Sequence, residues 1–62
     1  MRRFKMLDFD EIKPGALVVN RYSPEIGIVL DVDWCMVHYL VESGKIEKML
    51  VEDFQICYEV QR

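Results

Sequence analysis

Long apolar runs, clustered glycines, paired cysteines and basic charge are all scarce in this chain of 62 residues, and each scarcity removes a class of function. No apolar stretch approaches the roughly 20 residues that a membrane-spanning helix needs, so no membrane role is expected. The three glycines, Gly15, Gly27 and Gly44, stand far apart, which excludes a glycine-rich phosphate loop. Two cysteines, Cys35 and Cys57, are too few for a disulfide framework and read as reduced thiols of a cytoplasmic protein. The N-terminal MRRFKML is basic, but no long apolar segment or small-residue cleavage site follows it, so it does not read as a secretion signal. Ser23 and Ser43 sit in turn-forming stretches away from the single histidine, so no nucleophilic triad is suggested and the chain is not expected to be an enzyme.

Basic residues are scarce in a particular way. Of eight in total, Arg2, Arg3 and Lys5 lie in the first five positions, leaving five to face eleven acidic residues in the rest of the chain. A broad phosphate-binding surface needs clustered lysine and arginine, and the body of the protein lacks it.

Hydrophobic residues, by contrast, are plentiful at 52%. A chain of this length makes one domain with a small core, burying about 60% of the surface exposed when unfolded. The apolar surplus therefore predicts a homo-oligomer or a protein partner. The stretch WCMVHYLV, residues 34–41, is its clearest expression, because nearly every side chain is apolar and both faces of such a strand ask for burial.

The chain divides into a lead segment, residues 1–12, and a body, residues 13–62. KPG at residues 13–15 is a turn signal, since proline presets its own φ and glycine accepts the positive φ that follows. ALVVNRY, GIVLDVD, WCMVHYLV, IEKMLV and QICYEV then read as five strands, rich in β-branched and aromatic residues, with SPEIG and ESGK as breaks and the second and third strands directly adjoining. EDF, before the last strand, reads as a short helical turn. Centring the ESGK hairpin on Ser43 and Gly44 sets Val41 opposite Ile46, Tyr39 opposite Lys48 and Val37 opposite Leu50. That pairing gives a core face of Cys35, Val37, Tyr39, Val41, Ile46 and Leu50. The opposite face collects Trp34, Met36, His38, Leu40, Met49 and Val51, an apolar strip that is the predicted protein-interaction site. A competing arrangement lays Phe4, Met6 and Phe9 of the lead segment over this strip.

The run KPGALVVNRY, then GIVLDVD, then MVHYLVESGKIEKMLVEDFQI resembles the layout of SH3-like β-barrels of the Tudor and KOW kind. It is also similar to small bacteriophage proteins of unassigned role and to barrel-shaped docking subunits of photosynthetic complexes. The resemblance spans residues 13–60. It implies an all-β fold: a single small SH3-like barrel of about five strands with a short helical turn before the last strand. For a phage-encoded protein it implies the host cytoplasm or the virion. It does not carry an activity with it, because fold alone does not transfer function. The loops hold Glu25, Asp31, Asp33 and Glu42 where a KOW nucleic-acid binder would be basic, and too few aromatics converge for a Tudor-type cage.

Neither a metal site nor a cofactor site is expected. Cys35 and His38 are three apart on a strand and point to opposite faces, and a structural zinc wants four ligands. Asp31 and Asp33 share a strand face with no calcium-loop pattern after them, which reads as a solvated edge. The favoured function is a non-enzymatic protein-interaction module. Two alternatives are a nucleic-acid module whose phosphate contacts would be Arg2, Arg3, Lys5 and Arg21, and an acidic inhibitor of a host nucleic-acid enzyme. The excess of acid beyond Lys5 repels phosphate at long range. Binding to random duplex DNA at physiological salt should therefore be negligible in a salt-titrated mobility-shift assay, and tight binding with a steep salt slope would reverse this assignment.

Overall fold

The computed structural model describes residues 6–61. Arg2, Arg3, Phe4 and Lys5 lie outside the described residues. Five antiparallel strands form one sheet: β1 (Leu17–Asn20), β2 (Ile26–Asp33), β3 (Met36–Val41), β4 (Ile46–Leu50) and β5 (Tyr58–Val60), in the spatial order β4-β3-β2-β1-β5. A seven-residue helix, α1 (Val51–Cys57), joins β4 to β5, and Phe9–Glu11 makes one 3-10 turn.

The expected all-β fold with a helical turn before the last strand is present, but the expected barrel does not close. β4 and β5 are the two edges of an open sheet and do not pair. The reason lies in the link between them. Val51, Phe54 and Cys57 recur at helical spacing and pack toward the core, while Glu52 and Asp53 in the first turn suit its exposed amide donors. A helix over these residues consumes chain that extended strands would have used to meet across the gap. Val51 and residues 55–57, expected at strand ends, belong to this helix instead.

Local signals explain the turns. Lys13 to Ala16 form a β-turn closed by the Ala16 N–H donating to the Lys13 carbonyl at 3.0 Å, with Pro14 and Gly15 central and Gly15 at φ +91°. That is the proline–glycine chemistry of a type II turn. Gly27 serves close approach instead: a Cβ there would sit 3.2 Å from the Leu40 carbonyl oxygen and against Tyr39 and Val18. Within β2 the register shifts between Val29 and Asp31, leaving Leu30 as an extra residue. Without this bulge, strict alternation after Val29 would turn Asp31 and Asp33 inward and Val32 outward. With it, Val32 packs against the core and both aspartates reach solvent, avoiding buried, unpaired carboxylates.

The core lies on one face of the sheet, under α1 and the lead segment. It comprises Leu7, Ile12, Val18, Val29, Val37, Tyr39, Val41, Phe54 and Tyr58. Three of these are aromatic and in mutual contact. Phe54 and Tyr58 stack with centroids 4.6 Å apart, and Tyr39 meets Phe54 at a tilt at 5.2 Å and Tyr58 edgewise at 5.3 Å. The lead segment enters from below: Leu7 N–H donates to the Gln55 carbonyl at 3.1 Å, and Gln55 Nε2 donates back to the Leu7 carbonyl at 2.9 Å. Leu7 and Ile12 therefore fill the core, while Met6 and Phe9 stay exposed. Neither Met6 nor Phe9 covers the outer face of the sheet.

Burial raises the phenol of Tyr39 and, far more strongly, that of Tyr58, whose hydroxyl also donates to Glu25 Oε1 at 2.9 Å. A raised folded-state value means that the neutral phenols favour the fold. Their contribution is complete below the unfolded tyrosine value of about 10 and is lost as pH rises above it. Alkaline titration should accordingly unfold the protein above about pH 10, with tyrosinate absorbance rising together with loss of far-ultraviolet circular dichroism. Ionisation of all three tyrosines with the dichroism unchanged would contradict this packing.

Candidate functional site

The hairpin between β3 and β4 decides which residues face solvent. Val41 N–H donates to the Lys45 carbonyl at 3.0 Å and Gly44 N–H donates to the Val41 carbonyl at 2.9 Å. The loop is therefore the three residues Glu42, Ser43 and Gly44, with Gly44 at φ +92°. A type I turn followed by a left-handed glycine is the common three-residue hairpin, and it sets Leu40 opposite Ile46, Tyr39 opposite Glu47 and Val37 opposite Met49. This corrects the pairing expected from an even-numbered loop by one residue. A one-residue slip exchanges the two faces of a strand.

The correction reassigns part of the expected strip. Met36, His38 and Leu40 do share the outer face, each partly buried. Met49 turns to the other side and packs against the core, as does Val51 from α1. Ile46 and Leu50, expected inside, lie outside with Lys48 between them. The outer face thus holds an aliphatic row that crosses four strands in register: Leu17 pairs with Ile28, Ile28 with Leu40, and Leu40 with Ile46. Its exposure is greatest at the edge, where Ile46 is 67% accessible against 42% for Leu17. An open depression of about 270 Å³ runs along the row between Leu17, Ile26, Ile28 and Leu40. This lies below the usual 300–1,000 Å³ of small-molecule sites. Leu17, Ile28, Leu30, Ile46 and Leu50 were missed from sequence; the lone glycine of ESGK, read as a left-handed three-residue loop, was the signal that would have placed the last two.

Trp34 stands apart from this row. It occupies the first position of the two-residue turn between β2 and β3, at φ +60°, and is 94% exposed. A positive φ at that position only is the pattern of a type II′ turn, which favours glycine there. A bulky residue in this region costs about 1–2 kcal/mol, and no burial of the indole offsets it. Cys35, the second turn residue, is exposed, and its carbonyl accepts from Val51 N–H at 2.7 Å.

Charged groups surround the aliphatic row. Asp31 and Asp33 stand opposite His38 and Met36, and Glu59 opposite Val19, all on the outer face. Arg21, the one expected phosphate contact within the described residues, pairs with Glu59 at 3.6 Å. Among the described residues no three His, Cys, Asp or Glu side chains converge as metal ligands, and no helix is long and apolar enough to cross a membrane.

No protein-family model matches this chain, and no curated protein or solved structure matches it either.

Because Trp34 is strained and buries nothing, Trp34→Gly should leave the fold intact and raise its stability by about 1 kcal/mol in urea denaturation. A loss of stability would mean that the indole packs on the protein and is not free for a partner.

Proposed function

We propose that this protein is a small, non-enzymatic interaction module of SH3-like layout that docks on a protein partner through the outer face of its sheet. The observation that carries the reading is the in-register row of Leu17, Ile28, Leu40 and Ile46, exposed across four strands of a chain whose core is already complete without it. Contiguous exposed aliphatic surface rimmed by charge marks interaction sites on small soluble proteins. The carboxylates of Asp31 and Asp33 suit a partner whose own apolar patch is bordered by basic residues. Trp34, exposed at a hairpin tip against its backbone preference, is suited to act as an anchor, since tryptophan is enriched among the residues that dominate binding energy. Reading the chain as a bacteriophage protein rests on the sequence resemblance alone.

Two lysine substitutions on opposite faces of β3 test this. Leu40 lies on the outer face and Val37 is fully buried. Leu40→Lys should leave the melting curve nearly unchanged while removing the bound partner in affinity capture, because the interface would have to desolvate a charge. Val37→Lys should unfold the protein. Light scattering on the same samples reports whether the partner is a second copy. Retention of the same partners by a folded Leu40→Lys variant would refute docking on this face, as would loss of folding in both variants.

A further inference from the structure

The aliphatic row ends at an open sheet edge, and the chemistry of that edge specifies what can join it. In the β3–β4 ladder the closely bonded pairs are Val41 with Lys45, Tyr39 with Glu47, Val37 with Met49 and Cys35 with Val51. Alternation then turns the N–H and C=O groups of Ile46 and Lys48, and the N–H of Leu50, away from β3. β4 is the last strand of the sheet on that side, and among the described residues no backbone group meets them. The side chains of Ile46, Lys48 and Leu50 are all exposed, so neither α1 nor residues 6–12 cover this edge.

Pairing of β4 along its length with a second copy of itself is opposed by charge. The antiparallel register that matches the whole strand puts Lys48 beside Lys48 of the other copy. Shifting toward the hairpin turn puts Glu47 beside Glu47, and one step further leaves a ladder of a single bonded pair, Ile46 beside Ile46, next to the turn. Shifting the other way relies on Leu50, whose carbonyl already begins α1. Like charges directly opposite destabilise a strand pair, whereas opposite charges and apolar pairs stabilise it.

We infer that the β4 edge accepts an extended segment of a protein partner as a sixth, antiparallel strand, with apolar residues opposite Ile46 and Leu50, an acidic residue opposite Lys48 and a basic residue opposite Glu47. The backbone groups of Ile46 and Lys48 supply the ladder bonds, and the apolar residue beside Ile46 extends the row to a fifth member. Read from its N-terminus, the recognised pattern is apolar, any, acidic, basic, apolar. The inference rests on the docking role proposed above and specifies its occupant.

The test uses the full chain and two synthetic nine-residue peptides, one with Val-Thr-Asp-Lys-Val at its centre and one with the charges exchanged to Val-Thr-Lys-Asp-Val. The first should slow amide exchange at Ile46 and Lys48 by NMR and bind about ten-fold more tightly than the second. Lys48→Glu should abolish or reverse this preference. Lys48→Pro removes an outward N–H that the native ladder does not use, so the variant should stay folded and lose peptide binding. Absence of protection at millimolar peptide, equal affinity for both peptides, or full binding by a folded Lys48→Pro variant would each overturn the inference. So would a dimer in which these two amides are protected without any peptide. If the edge fails while Leu40→Lys still loses its partner, docking on the outer face stands and only the added strand is withdrawn.

Discussion

The contact among Tyr39, Phe54 and Tyr58 is the interaction on which the rest of the structure depends. It is the point at which a middle strand, the connecting helix and an edge strand meet, with Phe54 and Tyr58 stacked at 4.6 Å. An open five-stranded sheet has no intrinsic reason to hold its two edges near one another. Here α1 runs from the end of β4 to the start of β5, and its one fully buried side chain, Phe54, is held by Tyr39 and Tyr58. Truncating a buried phenylalanine costs about 3–5 kcal/mol, against a total stability of only about 3–9 kcal/mol for a chain of this length. The hydroxyl of Tyr58, donating to Glu25, ties the same cluster to the β1–β2 loop.

With the core completed by the helix and by Leu7 and Ile12 of the lead segment, no element among the described residues packs as a layer on the other face of the sheet. That constraint produces the site. Every aliphatic residue that alternation turns outward, from Leu17 across to Ile46, remains in contact with water. The bulge at Leu30 adds another exposed leucine to that face as the consequence of keeping Asp31 and Asp33 out of the core. The charges on β4 limit what this exposure can do. Glu47 and Lys48, on opposite faces of the edge strand, disfavour full-length pairing of β4 between copies while leaving Ile46 and Leu50 open.

Much of the fold was legible in the amino-acid order because its signals are local. Proline and glycine at residues 14 and 15 marked the turn, and the density of valine and isoleucine marked the strands. The crowding of apolar residues in WCMVHYLV marked a strand that asks for burial on both faces. Met36, His38 and Leu40 were correctly grouped for the same reason: alternation within a single strand does not depend on its neighbours. Met49 and Val51 were not, because their facing depended on one residue of loop length and on the competition between strand and helix.

What the sequence by itself determined, then, is the Lys13–Gly15 and ESGK turn positions, the approximate places of the five strands, the acidic character of the body and the presence of an apolar surplus. Each follows from the conformational preference or charge of residues adjacent in the chain. The turn at Trp34 and Cys35, by contrast, was read as strand. Only the tertiary structure decided the rest. The left-handed Gly44 added one loop residue, and that residue exchanged Ile46 and Leu50 for Met49 on the outer face. Burial of Phe54 between two tyrosines drew residues 51–57 into a helix, and the helix kept the sheet from closing into a barrel. Register and closure are set by contacts between segments distant along the chain, with energies that no local window of sequence contains.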